Sequence, residues 1–408
     1  MKCGLLGEKL GHSYSPQIHS ELADYEYQLY EKKPDEVESF VRSGTWDGLN
    51  VTIPYKKTVM SFCNELSELA QAVGSVNTLR RRADGSIFGD NTDAIGFEMM
   101  LGSVFNPLSA LQGKKALVLG TGGASVAVQA ILRRYGAEVI PVSRSGENNY
   151  RNISEHDDAS LIVNTTPVGM YPGNGEKVVD LRLFQRLDAV LDVVYNPART
   201  ALLLQAEELG IRNAGGLRML VGQAKRSAEI FLGHGLPDTE VERILKKLSM
   251  SMMNIILIGM PGSGKTTVAN LLSEILGRPC AEADYEIERQ AGRSIPDIFR
   301  EEGETGFRKR ETAVLKDLGK QSGTILSTGG GCVTREENYP LLHQNGIIIR
   351  LTRDLSKLER EGRPLSMNAD LNRMAEIRNP MYERFADYTV SNDGTPEETV
   401  QSILEVLK

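Results

Sequence analysis

Cysteine is scarce in this chain of 408 residues: Cys3, Cys63, Cys280 and Cys332 lie far apart, and no Cys-x-x-Cys pair occurs. That spacing excludes a clustered metal site and a disulfide framework, and it fits a reducing compartment. Histidine is scarce too, with five residues. The nearest pair, His12 and His19, has no third ligand close by, so structural zinc is not expected. No apolar run reaches the roughly 20 residues a membrane span needs. The opening "MKCGLLGEKLGHS" has one lysine and no long apolar core, so no signal peptide is expected and the predicted location is cytoplasmic. A basic face is also missing. The net charge is −7, with both signs interleaved, which argues against a general nucleic-acid surface and leaves anion binding to particular loops. Low-complexity segments and solenoid-length repeats are absent.

What is present is ordinary globular composition, 40% hydrophobic and 25% charged, in a length that suits two or three domains. Two strand–glycine-loop–helix signals divide it. The first is "KALVLGTGGASVAVQAILRRYGAEVIPVSR", residues 115–144, one βαβ unit of a parallel sheet that "SLIVNTTP" and "AVLDVVYNP" extend. The second is "NIILIGMPGSGKTTVANLLSEILG", residues 254–277, followed by the buried-strand patterns "TILSTGGG", "GIIIRLT" and "DYTVSN". About 100 residues of mixed strand and helix character precede the first signal. The predicted architecture is α/β throughout: a mixed substrate domain over 1–100 closed by 222–250, a Rossmann-like dinucleotide domain over 101–221, and a P-loop domain over 253–408. Between the halves, "TEVERILKKLS" is a helix and "MSMM" a bridge. Met252 or Met253 reads as the relic of a second start codon, and a linker that contains methionines by chance is the rival reading.

In the front half, Ser15 before Pro16 has the pattern of an N-cap and N1 pair, which places Ser13 and Ser15 at the positive end of a helix, where a carboxylate is favoured. Capping alone would explain one of the serines. "GLNVTIPYKK" ends a strand with two lysines, a combination that is usually solvated. The next segment, "GSVNTLRRRADGSIFGDNTDAIGF", contains Asp84-Gly85, a two-residue hairpin signal. Counting back from that turn sets Asn77 opposite Thr92, beside Asp93. A lysine near such an aspartate can hold a proton for transfer to an alkoxide. The loop Gly120-Thr-Gly122-Gly123-Ala124 lets the backbone approach a pyrophosphate at a helix start. Where NAD enzymes place an acid after the second strand, this chain has Ser143-Arg144-Ser145, which suits the 2′-phosphate of NADP. An ordinary surface arginine is the alternative.

Taken in order, "GHSYSPQIH", "NVTIPYK", "GSVNT", "GDNTDAIGF", "GTGGAS", "NTTPVGM", "DVVYNPARTALL" and "GGLRMLVGQA" resemble shikimate dehydrogenase across residues 1 to about 248. The resemblance implies reduction of 3-dehydroshikimate to shikimate with NADPH. It implies Ser13, Ser15, Thr52, Asn77, Tyr195 and Gln223 as substrate contacts, with Lys56 and Asp93 catalytic. Departures are Thr121 in the glycine loop, Ser75 in "GSVNT", and Ser-Arg-Ser for the usual Asn-Arg-Thr. The last keeps NAD use and a quinate/shikimate dehydrogenase activity open.

In the back half, "GMPGSGKT", Gly259 to Thr266, is a complete Walker A loop. Its amides (Gly262, Ser263, Gly264 and on to Thr267) cradle phosphates, Lys265 faces the β and γ oxygens, and the Thr266 hydroxyl holds Mg²⁺ of a bound ATP. Instead of an acid, Gly329, Gly330 and Gly331 follow the strand "TILS", bare backbone that a small ligand can approach. Arg308, Arg363 and Arg378 are either solvated charges or binders of carboxylate and phosphate. These motifs resemble shikimate kinase over residues 253–408. The resemblance implies Arg308 and Arg378 on the shikimate carboxylate, the glycine triplet under the ring, Arg363 in a lid over ATP, and Asp284 on the acceptor hydroxyl. The family's Asp-x-Asp is Glu282-Ala-Asp284 here, so Glu282 would help to hold Mg²⁺ with a longer reach. A gluconate-type kinase fits "GETGFR" less well.

The two resemblances meet at one metabolite, since the hydroxyl made by the first half is the one phosphorylated by the second. The expected partners are small molecules only. A half that senses shikimate without turnover is the rival reading, and Glu282 is its one support. Channelling between the halves has no support in the sequence, and it does not reveal the oligomeric state.

Overall fold

The computed structural model describes residues 1–11, 13–358 and 371–408. Two compact units divide the chain. Unit 1 comprises Met1–Tyr195 and Leu202–Lys247, and unit 2 comprises Asn196–Ala201 and Leu248–Lys408.

Unit 1 holds two sheets. The first has strands β1 (Lys2–Gly7), β2 (Glu26–Glu31), β3 (Gly48–Val51), β4 (Glu65–Leu66), β5 (Thr78–Arg81) and β6 (Ile87–Asp90), in spatial order β2-β1-β3-β5-β6-β4. It is mixed: β1 runs parallel to β2 and β3, while β5 is antiparallel to both β3 and β6. The second sheet is wholly parallel, with β7 (Lys115–Leu119), β8 (Glu138–Val142), β9 (Leu161–Asn164), β10 (Ala189–Asp192) and β11 (Arg212–Gly215) in order β11-β10-β9-β7-β8. Its near-continuous apolar strands are explained by burial on both faces. Ala116 and Val118 pack into one cluster with helix residues Phe97, Val128 and Ile131, while Leu117 and Leu119 alternate to the other side with Leu202 and Leu203.

Unit 2 repeats this logic with β12 (Asn254–Ile258), β13 (Cys280–Glu282), β14 (Ile325–Ser327), β15 (Gly346–Thr352) and β16 (Tyr388–Ser391), all parallel, in order β13-β14-β12-β15-β16. Ile256 and Ile258 join one core cluster, and Ile255 and Leu257 join the other. In both parallel sheets the glycine loop leaves the strand beside which the order reverses. β7 lies between β9 and β8, and β12 lies between β14 and β15. Such a switch point opens a crevice at the strand ends.

Three details differ from expectation. The β5–β6 turn is not a two-residue hairpin. Arg82 N–H donates to Ser86 O, and Gly85 takes φ +84°, a three-residue loop with a left-handed glycine. The register Thr78↔Asp90 therefore shifts by one, and carried one step further it sets Asn77 against Asn91 rather than Thr92. Ser15 is not an N-cap: the helix Ser15–Leu22 takes Tyr14 as its N-cap, so Ser15 and Pro16 fill its first two positions. The bridge "MSMM" is not a loop either. The helix Thr239–Met252 runs through it, and Met252 and Met253 are buried.

Candidate active sites

In unit 1 a cavity of about 280 Å³ gathers Ser13, Ser15, Thr52, Lys56, Asn77, Asp93, Ala124, Tyr195 and Gln223 among its lining residues. Main-chain bonds fix this arrangement. Thr52 N–H donates to Leu6 O (2.9 Å), Val51 N–H to Asn77 O (2.7 Å) and Val76 N–H to Lys56 O (2.8 Å), so the ends of β1, β3 and β5 hold the polar residues together. Lys56 Nζ lies 2.6 Å from Asp93 Oδ2, and both side chains are mostly buried. Asp93 occupies the first turn of the helix Thr92–Gly102. Asn77 Oδ1 accepts from Thr92 N–H at 2.7 Å, so the convergence of Asn77 with the start of this helix holds despite the shifted register. Ser13 Oγ accepts from Ser15 N–H, and Tyr195 meets Tyr14 edge to face at 6.0 Å. Burial raises the Tyr195 phenol above its ordinary pKa.

One buried network escaped the reading of the sequence. Asn50 Nδ2 donates to Ser227 Oγ (2.7 Å) and Thr78 Oγ1 (3.2 Å), Tyr27 donates to Asn50 Oδ1 (2.8 Å), and Ser227 meets Thr92 Oγ1 at 3.0 Å. It ties the helix Leu217–Leu232, which carries Gln223, to β3 and β5, the strands that adjoin Thr52 and Asn77. Asn50, the one polar side chain in the strand "GLNV", was the available signal. The helices Thr92–Gly102 and Leu217–Leu232 touch closely, and a Cβ on Gly96 would stand 2.4 Å from Met219 O.

The dinucleotide loop opens the helix Gly123–Arg134, with Gly122 as its N-cap. A Cβ built on Gly122 or Gly123 meets nothing within 4 Å, whereas one on Gly120 would stand 2.9 Å from Thr165 Oγ1. Open space at an amide-lined helix start fits a pyrophosphate. Ser143, Arg144 and Ser145 follow β8 directly, and Arg144 is exposed. Tyr150 is a neighbour the sequence did not flag: burial raises its phenol pKa, and the positive Arg144 lowers it.

In unit 2 a cavity of about 490 Å³ is lined by Gly262, Gly264, Lys265, Thr266, Thr267, Glu282, Asp284, Arg308, Gly329, Gly330, Gly331 and Arg378, with Glu311 and several apolar residues. Gly264 has φ +88°, a conformation glycine alone adopts without strain, and it starts the helix Lys265–Leu276. Lys265 Nζ donates to the carbonyls of Gly259 and Met260, 3.0 Å each. Buried Ser263 Oγ has no partner. Thr266 Oγ1 donates to Glu282 Oε1 at 2.8 Å and lies 3.3 Å from Ser327 Oγ. These hard oxygens fit Mg²⁺ held mainly through nucleotide phosphates. Among the described residues no three His, Cys, Asp or Glu side chains cluster as a protein-only metal site.

The acceptor side centres on Gly329. A Cβ there would fall 2.7 Å from Glu311 Oε1 and 2.8 Å from Asp284 Oδ1, and neither buried oxygen has a hydrogen-bond partner. Burial raises the pKa of both carboxyls, and nearby Lys265 and Arg308 oppose the shift at Asp284. Arg308 Nη1 lies 2.7 Å from Glu311 Oε2, Arg308 Nε is unpartnered, and Arg378 donates to Gly330 O at 3.2 Å. Glu311 closes "GETGFRKRE" one helical turn after Arg308. That i,i+3 spacing was the signal for a residue the sequence reading passed over. Arg363 lies outside the described residues.

Two family models match the chain: the shikimate dehydrogenase substrate binding domain over residues 5–79, and shikimate kinase over residues 261–408. A shikimate dehydrogenase (NADP(+)) of Clostridium perfringens is 35% identical over 60% of this chain and 97% of that protein. One of Methanopyrus kandleri is 35% identical over 60% of this chain and 95% of its own length. Among solved structures, a chorismate mutase/shikimate 5-dehydrogenase fusion protein from Clostridium acetobutylicum is 36% identical, with a TM-score of 0.57, over 60% of this chain and 96% of its own. The Thermus thermophilus shikimate 5-dehydrogenase in complex with NADP(H) and shikimate is 28% identical, with a TM-score of 0.54, over 60% and 99%. No helix among the described residues is long and apolar enough to cross a membrane.

Proposed function

The chain belongs to the shikimate dehydrogenase family through its first unit and carries a shikimate kinase domain over residues 261–408, and from that premise we propose that one polypeptide performs two consecutive steps. It reduces 3-dehydroshikimate to shikimate, then phosphorylates the new hydroxyl to give shikimate 3-phosphate. The observation that carries the first step is the Lys56–Asp93 pair, 2.6 Å apart in a cavity with Ser13, Ser15, Asn77, Tyr195 and Gln223.

Bound NADPH supplies the hydride to the ring carbonyl carbon. Lys56 then gives the carbonyl oxygen its proton, and Asp93, 2.6 Å away, holds the lysine Nζ in place for that transfer. Ser13 and Ser15, at the start of a helix, hold the substrate carboxylate. Arg144 with Ser143 and Ser145 holds the cofactor's 2′-phosphate, and the amides of Gly122, Gly123 and Ala124 line its pyrophosphate.

In unit 2, Arg308 and Arg378 bind the shikimate carboxylate over the bare backbone of Gly329–Gly331. Asp284 accepts the hydrogen bond of the acceptor hydroxyl and takes its proton as the oxygen bonds to the γ-phosphorus of ATP, with ADP leaving. Lys265 moves from the Gly259 and Met260 carbonyls onto the transferring phosphate, and Thr266 and Glu282 would hold Mg²⁺, which would offset the phosphate charge.

Single-site variants separate the two steps. Lys56→Ala should lower the rate of NADPH oxidation by about 10²-fold or more and leave phosphorylation of added shikimate unchanged. Asp284→Asn should do the reverse. Loss of both activities in either folded variant would overturn the assignment of independent sites.

A further inference from the structure

A second cavity in unit 1, about 490 Å³, shares no lining residue with the 280 Å³ cavity. Its walls carry three arginines, Arg80, Arg82 and Arg226, with Phe88 and His234 beside them. Two of the arginines have counter-charges: Arg82 lies 2.7 Å from Glu65, and Arg226 lies 3.3 Å from Glu229. Glu229 is already paired with Lys225 at 2.9 Å, so it does not neutralise Arg226 fully. Arg80 is half-buried on β5, and its side chain has no hydrogen bond or ion pair among the described residues. Its guanidinium sits beside Gly233, where a built Cβ would be 3.0 Å from Nη2.

The Arg80 guanidinium offers five donors to the cavity and no protein acceptor takes them. Three arginines face two carboxylates, Glu65 and Glu229, on the same walls, which leaves a positive excess of one charge, and guanidinium forks match phosphate oxygens. Phe88 gives an apolar surface, already covered in part by the Arg82 guanidinium at 5.5 Å from the ring centre. We propose that this cavity is a binding site for a small phosphate-bearing anion, held by Arg80 and Arg226 with Arg82 at the rim.

Its position gives such binding a route to the substrate cavity. Arg80 is on the strand that begins just after Asn77, and Arg226 is one helical turn from Gln223 and next to Ser227 of the buried network. An anion bridging Arg80 and Arg226 ties β5 to the helix Leu217–Leu232.

The test is titration calorimetry on the full chain, with the nucleotide sites saturated by NADP⁺ and MgADP and inorganic phosphate as the probe at constant ionic strength. The expected result is one phosphate bound per chain, weakened about tenfold or more in Arg80→Gln and also in Arg226→Gln. NADPH oxidation measured without phosphate should stay within about twofold of the parent in both variants. Phenyl phosphate separates the sources: tighter binding than inorganic phosphate identifies a phosphate ester, and equal binding identifies the free ion. No phosphate uptake by the parent chain, or unchanged uptake in both variants, would overturn the proposal.

Discussion

Replacing Gly331 by alanine tests the kinase site with one methyl group. Gly331 has φ −106°, an ordinary value for any residue, so the substitution adds no backbone strain. The added Cβ would stand 2.1 Å from Arg308 Nη2 and 2.2 Å from both Cζ and Nη1. To reach van der Waals separation the guanidinium must retreat by roughly 1 Å or more. A solvated arginine would do so at little cost. Arg308 is only 8% exposed and is held 2.7 Å from Glu311, which is fully buried. Separating a buried ion pair costs about 3–5 kcal/mol. If relaxation recovers part of that, about 3 kcal/mol is left, a factor of about 10² at 1.4 kcal/mol per tenfold. The expected outcome is therefore a fall of about 100-fold in kcat/KM for shikimate phosphorylation, followed by ADP release. NADPH oxidation by the same sample is the internal control and should not change. A kcat/KM within about threefold of the parent would refute the claim that Arg308 must occupy its observed position.

Other outcomes follow from the same geometry. Burial raises the Asp284 carboxyl, so the folded chain holds a proton that the unfolded chain has released; this destabilises the fold increasingly as pH rises from the ordinary carboxylate pKa to the raised one. Asp284→Asn should accordingly unfold a few degrees higher than the parent at pH 8, with a smaller gain at pH 4, although phosphorylation is lost; thermal melts at both pH values check this. Glu282→Asp shortens the arm that now reaches Thr266 at 2.8 Å, and it should raise the phosphorylation rate at limiting Mg²⁺ without altering NADPH oxidation. Arg144→Ala should raise the KM for NADPH by about tenfold or more and leave that for NADH unchanged, as steady-state kinetics would show.

The parallel sheets were legible because buried strands carry a nearly unbroken apolar signature, as in "NIILI" and "KALVL", and each is followed by a glycine loop. The candidate sites were legible where chemistry is compressed into short motifs: Lys265 and Thr266 directly follow one glycine loop, and Gly329–Gly331 share one strand end. Other features were hidden for physical reasons. The β5–β6 register depends on whether Gly85 alone or the Asp84-Gly85 pair turns the chain, and one residue decides which side chains face each other. The link between Asn50 and Ser227 spans 177 positions, so local spacing could not suggest it. Glu311 matters only through packing, which buries it against Arg308. Ser15 and Pro16 carry a capping signal, but the helix starts one residue earlier, with Tyr14 as its N-cap and no side-chain cap bond.

A single tube containing the purified chain, 3-dehydroshikimate, NADPH and MgATP tests the two-step reading most directly. NADPH loss and ADP release are followed together, and the product is identified by mass. The account predicts both signals and shikimate 3-phosphate as the product, with Lys56→Ala slowing both by about 10²-fold or more because little shikimate is formed, and added shikimate restoring ADP release. NADPH loss without ADP release, or ADP release that persists at the parent's rate in Lys56→Ala without added shikimate, would contradict it.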